Sequence, residues 1–142
     1  MIRFATPADQ PALVTLMQRA KMGCAWLTYG EMDGACIVEH LHGTLRGYIR
    51  FDLGRPETHI RQIVVDPEYQ GDGLIARKLI LAVATLAELH GAQTIEGFQE
   101  DDKPWLTKMA VKAGCQTTRG QRVRWPLIPT VSETARRIRD SA

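Results

Sequence analysis

The sequence predicts a mixed α/β fold in which helices flank a largely antiparallel central sheet. Two extended runs, Cys36–Leu41 and residues 45–53, are joined by a short polar connection with a glycine, which suits a β-hairpin. A third extended run, Glu57–Val65, ends in three apolar residues, as expected of a central strand. The segment Leu74–His90 has the length and composition of a buried helix.

Local signals predict the other elements. Residues 2–5 form a short strand, and Thr6 can cap a helix whose apolar positions recur at helical spacing up to Cys24. Gly91 stands just past the end of the long helix, and Thr94–Phe98 then predicts another strand. The last three elements are a helix at residues 103–113, a strand at residues 119–125 and a terminal helix that begins with a capping box at Thr130.

The chain has the size of one domain. With 142 residues, it should bury roughly 68–70% of its extended-chain surface. No internal repeat or long linker interrupts it. We therefore expect one domain at residues 1–126, followed by a short basic helix or tail at residues 127–142.

Composition narrows the class of protein. The net charge of +2 is too small to favour a nucleic-acid partner. The three cysteines, Cys24, Cys36 and Cys115, lack the spacing of metal ligands or of a redox pair, which indicates reduced thiols and a cytoplasmic location. No segment resembles a secretory signal or the ~20 apolar residues that span a bilayer, so no membrane association is expected.

The most informative segment leads from the third extended run into the long helix. Gly71 and Gly73 leave the backbone bare where the helix begins, and unpaired N–H groups at a helix N-terminus favour an anion. A Cβ at either position would hold phosphate oxygens away. The segment therefore predicts a site for a nucleotide pyrophosphate.

Two other phosphate-binding motifs compete for this segment. The P-loop requires a Gly-Lys-Ser/Thr ending, which the sequence lacks. The dinucleotide pattern is closer, because Gly71, Gly73 and Ala76 match Gly-x-Gly-x-x-Gly/Ala and Glu96 lies twenty positions further on. However, residues 66–70 separate the glycines from the strand, and a hairpin precedes it. A dinucleotide site remains an alternative.

The segment resembles motif A of the GNAT N-acetyltransferase family, in which an apolar strand leads into Val-x-Pro, two residues and Arg/Gln-Gly-x-Gly-x-Gly/Ala. Val65-Asp66-Pro67 and Gln70-Gly71-Asp72-Gly73 match this pattern in order and spacing, whereas Ile75 stands where the family prefers glycine or alanine. The opening Thr6-Pro7-Ala8-Asp9 and residues 106–115 are also similar to the family's pattern, so the resemblance covers nearly the whole chain.

The resemblance implies the GNAT fold, acetyl-CoA as the cosubstrate, and direct transfer of its acetyl group to an amine without a metal. The pyrophosphate would lie on the loop and first helical turn, and the pantetheine along the preceding strand. Catalysis would consist of positioning and removal of a proton from the amine. The residues implied in cofactor binding are Ile63, Val64, Val65, Gln70, Gly71, Asp72, Gly73, Leu74, Ile75 and Ala76.

His59 and Glu57 are the candidates for the base. Many family members carry Glu one residue before the first apolar position of the motif A strand, and here His59 stands there. Imidazole ordinarily titrates near pH 6.5, which suits it to accept a proton near neutrality. Glu57 lies on the same strand face and is the second candidate. Alternatively, both are solvated residues at the exposed start of a strand.

The resemblance also implies a pocket for a small-molecule or peptide amine. Its candidate residues are Trp26, Tyr29, Glu100, Asp101, Asp102 and Trp105. The acidic residues could attract a cationic amine, although such a run is also typical of a solvated loop, and the aromatic residues could belong to the core. Ala110 stands where the family often has the Tyr that protonates the leaving thiolate.

Two alternatives to an enzyme stay open. The missing Tyr is compatible with a catalytically silent acyl-CoA-binding relative. The basic last quarter could bind nucleic acid, although an exposed face with arginine stems on apolar surface explains it better. The arginines concerned are Arg119, Arg122, Arg124, Arg136, Arg137 and Arg139. A homodimer is common in the family.

Overall fold

The computed structural model describes residues 1–21, 36–71 and 73–97, and the backbone of Phe98 and of two further strands at residues 116–118 and 122–126. The elements in chain order are β1 (Ile2–Phe4), α1 (Gln10–Arg19), β2 (Cys36–Leu41), β3 (Thr44–Asp52), β4 (Glu57–Val65), α2 (Leu74–His90), β5 (Thr94–Phe98), β6 (Gln116–Thr118) and β7 (Arg122–Pro126). The described strands form one sheet in the order β1-β2-β3-β4-β5-β7-β6. Among the described strands, only β4 and β5 pair in parallel, which confirms the predicted mixed α/β class with a largely antiparallel sheet.

The predicted hairpin joins β2 to β3. Leu41 pairs with Thr44, and the two residues between them, His42 and Gly43, have φ angles of 51° and 81°. Positive φ at both central positions is the requirement of the two-residue turn whose twist matches that of the flanking strands. The glycine in the polar connection was therefore a sufficient signal for this turn.

The prediction of one strand at residues 119–125 has the wrong bounds. In this part of the chain the structure has two strands, β6 and β7, which pair with each other in antiparallel. β6 consists of the three polar residues Gln-Thr-Thr, so it has no apolar alternation from which it could be recognised. Its conformation depends on its pairing with β7.

The first helix also begins later than predicted. A 3₁₀ turn at Pro7–Asp9 follows Thr6, and α1 begins only at Gln10. The helices predicted at residues 103–113 and from Thr130, together with Cys24 and Cys115, lie outside the described residues. The proposed division at residue 126 therefore stays a prediction.

The two helices in the described part of the chain, α1 and α2, cover opposite faces of the sheet. The α2 side buries Ile49, Phe51, Ile63, Val65, Leu79, Val83 and Ile95, among others. The α1 side buries Leu13, Met17, Cys36, Val38, Tyr48 and Val64, among others. Successive residues of a strand point to opposite faces, so the apolar end of β4 serves both layers. This explains why β4 lacks a polar face at its end.

Cys36 is the one cysteine whose surroundings are described. It is a free, buried thiol on the α1 side of the sheet. Burial raises the pKa of this thiol to about 12, so it remains protonated at neutral pH. The expected reduced core thiol is confirmed at this position.

None of the helices within the described ranges is both long and apolar enough to cross a bilayer. The cytoplasmic location expected from the sequence stays a prediction.

Asp9 joins the N-terminal strand to the turn before α1. Its carboxylate accepts two hydrogen bonds from the guanidinium of Arg3, at 2.7 and 2.8 Å, and one from the backbone N–H of Thr6 at 2.8 Å. The Arg3 hydrogen bond, opposed by burial and aided by Thr6, lowers the pKa of Asp9 to about 2. The ionised form of Asp9 therefore stabilises the folded chain.

We expect Asp9→Asn to lower the free energy of unfolding at pH 7 by about 1–2 kcal/mol. A carboxylate with a depressed folded-state pKa stabilises the fold above its unfolded pKa, and this stabilisation is lost as the pH falls through the folded value. The difference between wild type and variant should therefore shrink below about pH 4 and vanish near pH 2. Urea unfolding of both proteins at several pH values measures this difference in the free energy of unfolding. A difference that does not change with pH would contradict a role for the charge of Asp9.

Candidate functional site

The loop between β4 and α2 is fixed by side-chain contacts at its start. The carboxylate of Asp66 accepts the backbone N–H of Glu68 at 3.0 Å and pairs with Arg19 at the end of α1, with 2.9 Å between Nε and Oδ2. Gln70 Nε2 donates to the carbonyl of Val65 at 2.9 Å. These contacts hold the loop against the end of β4, so α2 begins at a defined place.

The start of α2 has the geometry of an anion site. Gly73 is the N-cap with a φ of 69°, and the first intrahelical hydrogen bond runs from the N–H of Arg77 to its carbonyl at 3.0 Å. The N–H groups of Ile75 and Ala76 lie in the first turn, where no carbonyl within the helix can accept them. A Cβ added at Gly71 or Gly73 would meet no atom within 4 Å, so the space above both residues is open. The arrangement supports the predicted pyrophosphate site.

Ile75, the departure from the family pattern, is accommodated by a glycine on β3. A Cβ at Gly47 would lie 2.8 Å from Cγ2 of Ile75 and 3.1 Å from the carbonyl oxygen of Val64. Ile75 is buried, so its side chain packs on the sheet and leaves the open side of the loop clear. A glycine within a strand often marks such a close approach, and Gly47 was the available signal in the sequence.

We expect Gly47→Ala to destabilise the fold by about 1–3 kcal/mol, because the added methyl overpacks the contact with Ile75. Ile75→Ala should cost about 2–5 kcal/mol through the lost burial. The double variant should lose less than the sum of the two, by on the order of 1 kcal/mol, because each change relieves the other. Urea denaturation of the four proteins measures this coupling, and strictly additive losses would show that the two residues do not compensate.

Arg46 supports the loop from β3. Its guanidinium lies 5.3 Å from the centroid of the Tyr69 ring, and its Nε donates to the buried carboxylate of Glu39 at 2.8 Å. Burial alone would raise the pKa of Glu39, but hydrogen bonds from Arg46 and from the ammonium of Met1 lower it. A pocket of about 280 Å³ adjoins the loop here; Arg46, Glu68, Tyr69, Gly71, Leu74 and Ile75 line it. Because Glu39 balances the charge of Arg46, we assign the pair a structural role.

β4 and β5 remain paired over only part of β4. Their parallel ladder runs from Glu57↔Thr94 to Ile60↔Gly97, whereas β4 continues to Val65. On the other side of β4, the ladder with β3 shifts register so that Arg61 has no Cα partner, which is a β-bulge. A bulge bends its strand and increases the local twist. The bulge thus coincides with the point at which the pairing with β5 ends.

The backbone of β4 beyond the bulge is directed alternately toward and away from β3. The N–H of Asp66 donates to the carbonyl of Arg46 on the β3 side at 2.8 Å. By the alternation of an antiparallel ladder, Val64 also directs its backbone groups toward β3, while Ile63 and Val65 direct theirs toward the β5 side. Of the three strand residues predicted to bind the cofactor, Ile63 and Val65 therefore direct their backbone groups away from β3, whereas Val64 belongs to the ladder. Their roles in binding a cofactor stay predictions.

The two predicted base candidates lie together with a third ionisable residue at the start of β4. His59 pairs in register with Glu96 of β5, and its Nδ1 lies 3.7 Å from a carboxylate oxygen of Glu96. Its Nε2 lies 3.7 Å from a carboxylate oxygen of Glu57. The side chains of His59, Glu57 and Glu96 are 49%, 32% and 2% exposed, respectively. The structure therefore places both base candidates in one partly exposed cluster, together with the buried carboxylate of Glu96.

The position of Glu96 on β5 argues against a dinucleotide-binding site. Its partner His59 lies six residues before the end of β4, on the order of 20 Å along the strand from the glycine loop. An acidic residue at that distance is too far away to bind the ribose of a nucleotide whose pyrophosphate lies on the loop. The sequence indicated Glu96 only through its spacing from Ala76. Its pairing with His59 was not predicted, and the only signal for it was a charged residue within an apolar strand.

Several predicted residues lie outside the described part of the chain. They are Trp26, Tyr29, Asp72, Glu100, Asp101, Asp102, Trp105 and Ala110. Their roles in binding the cofactor or the acceptor stay predictions.

The sequence profile of the Acetyltransferase (GNAT) family matches residues 7–112, which is most of the domain that contains the loop and the β4–β5 pair. The chain belongs to the GNAT acetyltransferase family. No curated protein sequence matches it significantly. The GNAT fold predicted from motif A is thus confirmed, and transfer of acetyl groups from acetyl-CoA is the general activity of this family.

Several solved structures have the same fold. The ribosomal-protein-S18-alanine N-acetyltransferase from Escherichia coli has a TM-score of 0.76 at 17% identity, covering 92% of this chain and 95% of that one. The protein yncA from Salmonella typhimurium, with its cofactor acetyl-CoA, has a TM-score of 0.68 at 19% identity, covering 92% and 95%. Naa20 from Chaetomium thermophilum, in complex with a bisubstrate analogue, has a TM-score of 0.71 at 18% identity, covering 89% and 86%. At these identities, the similarity establishes the fold alone.

Proposed function

We propose that this GNAT protein is an N-acetyltransferase that transfers the acetyl group of acetyl-CoA to a primary amine by direct attack. One observation carries the proposal. The pairing of β4 with β5 ends at Ile60, between the anion site at the start of α2 and the cluster around His59. An extended cosubstrate can therefore run from the helix N-terminus along β4 and place its reactive end beside a histidine.

The backbone supplies the contacts for acetyl-CoA. The pyrophosphate is bound by N–H groups of residues 70–76, with the space over Gly71 and Gly73 left for its oxygens. The pantetheine arm lies along residues 61–65 of β4, where Val65 directs its N–H toward the β5 side. The thioester then lies near Ile60, which is adjacent in sequence to His59. The acetyl-CoA in the yncA structure is consistent with this cosubstrate.

The cluster at the start of β4 prepares the amine for attack. A primary alkylamine has a pKa of about 10, so it reaches the site as an ammonium ion and must lose a proton. Glu57 attracts the cation, and His59 takes the proton at Nε2. The amine lone pair forms the new C–N bond at the thioester carbonyl, and the C–S bond breaks. The proton that the nitrogen still has to lose to become an amide passes through water to the leaving thiolate.

The acceptor is a small-molecule or peptide amine. An acceptor with a cationic amine matches the two carboxylates that flank His59. The Escherichia coli neighbour is named for its action on an alanine of a ribosomal protein, which makes an alanine N-terminus a suitable first peptide to test.

Release of free thiol from acetyl-CoA tests the function. The acceptors would be an alkylamine, a polyamine, a peptide with an N-terminal alanine and a peptide with an internal lysine, with mass spectrometry to detect the acetylated product. Thiol release that depends on an acceptor is the expected result. Binding of acetyl-CoA without thiol release by any acceptor would indicate a catalytically silent relative, and the absence of binding would contradict the proposal.

A further inference from the structure

We propose that Glu96 is a positioning residue that accepts the Nδ1–H of His59 and so turns Nε2 toward the amine. This inference rests on the proposed function, in which His59 takes the proton of the acceptor. Glu96 is the register partner of His59 across the parallel ladder, and its side chain is 2% exposed. Its carboxylate oxygen lies 3.7 Å from Nδ1, a distance that can close to a hydrogen bond when the substrates bind.

The two carboxylates of the cluster face different nitrogens of the ring. Glu96 lies at Nδ1, and Glu57 lies at Nε2, also at 3.7 Å. A neutral imidazole has only one N–H, so only one of the carboxylates can receive it. Because the side chain of Glu96 is 2% exposed and that of Glu57 is 32% exposed, a hydrogen bond to Glu96 is the stronger of the two. The ring therefore carries its proton on Nδ1 and presents the lone pair of Nε2.

This tautomer suits the proposed proton transfer. Nε2 takes the proton of the ammonium, and the resulting imidazolium donates Nδ1–H to Glu96. Two further charged residues are in register with this pair. Asp52 on β3 is the register partner of His59 and is hydrogen-bonded to Arg61, and Arg124 on β7 is the register partner of Glu96. Glu57 and Glu96 are the carboxylates whose oxygens lie 3.7 Å from the ring nitrogens.

A metal ion would use these residues differently. Glu57, His59 and Glu96 each have one potential metal-ligand atom, a carboxylate oxygen or a ring nitrogen, and these three atoms lie within 4.8 Å of one another. A single ion would bind one ring nitrogen and draw both carboxylates to that side. Because the carboxylates lie at opposite nitrogens, the arrangement fits orientation of the ring better than chelation.

A double-mutant cycle on turnover tests the positioning role. Glu96→Gln preserves the size of the side chain and should lower kcat by roughly tenfold or more, while the KM for acetyl-CoA stays nearly unchanged. In the His59→Gln background, the same change should cost almost nothing, because there is no imidazole left to orient. An equal loss in both backgrounds would show that Glu96 is merely structural, and no loss in either would also overturn the proposal.

A second readout needs no turnover and so separates this inference from the proposed function. Long-range ¹H–¹⁵N NMR spectra at pH 8 report the tautomer of each of the four histidines, and His59→Gln identifies the signals of His59. We expect the Nδ1–H tautomer in the wild type and a shift toward Nε2–H in Glu96→Gln, or in Glu96→Asp if the glutamine variant does not fold. An Nε2–H tautomer in the wild type, an unchanged tautomer in the variant, or signals that change on addition of EDTA would each overturn the proposal.

Discussion

His59→Gln is expected to lower kcat by about a hundredfold or more, with the KM for acetyl-CoA nearly unchanged. The glutamine retains the approximate size of the imidazole but cannot accept the proton of the amine. Since His59 is half-exposed and lies outside both core clusters, the variant should fold as the wild type does. Steady-state kinetics with saturating acceptor measure the effect, and circular dichroism confirms the fold.

Glu57→Gln is the matched control for His59→Gln, because it lies on the same strand and faces the same ring. If Glu57 only attracts the cationic amine, its loss should raise the KM for the acceptor more than it lowers kcat. If Glu57→Gln alone removes activity, the carboxylate is the base and His59 is a strand residue. Near-wild-type turnover in both variants would exclude a side-chain base on β4 and leave catalysis to positioning and water.

Gly73→Asp is expected to abolish the thermal stabilisation that acetyl-CoA confers. A ligand at a hundred times its dissociation constant stabilises the fold by about 2.7 kcal/mol, which is readily measured as a rise in melting temperature. The aspartate places a side chain and a negative charge at the proposed pyrophosphate site. The variant itself should remain folded, because a Cβ at Gly73 meets no atom within 4 Å and aspartate tolerates the left-handed conformation better than most residues.

Gly73→Asn separates the charge from the shape. Asparagine has nearly the same size as aspartate and also tolerates positive φ, so it should weaken binding less than aspartate does. NADH in parallel wells tests the dinucleotide alternative, and no stabilisation by NADH is expected. A folded Gly73→Asp variant that acetyl-CoA stabilises as strongly as the wild type would place the nucleotide site elsewhere.

Local sequence signals were enough to predict the elements on either side of the glycine loop. The hairpin turn at His42 and Gly43, the bounds of β4 and the bounds of α2 all agree with the structure. Each depends on interactions between near neighbours: a glycine at positive φ, an apolar strand, or a helix that ends before Gly91. The position of Gly73 at the start of α2 follows from the same local chemistry.

The sequence by itself determined the motif A loop, the identity of His59 and Glu57 as candidates, and the family resemblance. Only the tertiary structure decided that Glu96 lies beside His59, that the β4–β5 ladder ends at Ile60, and that Gly47 accommodates Ile75. The reason is physical: a parallel pair is joined through a crossover helix, and no local propensity sets which residues meet across it. The bulge at Arg61 and the Gly47 contact likewise depend on packing between distant segments. Local chemistry thus located the glycine loop before α2, whereas strand register assembled the cluster around His59.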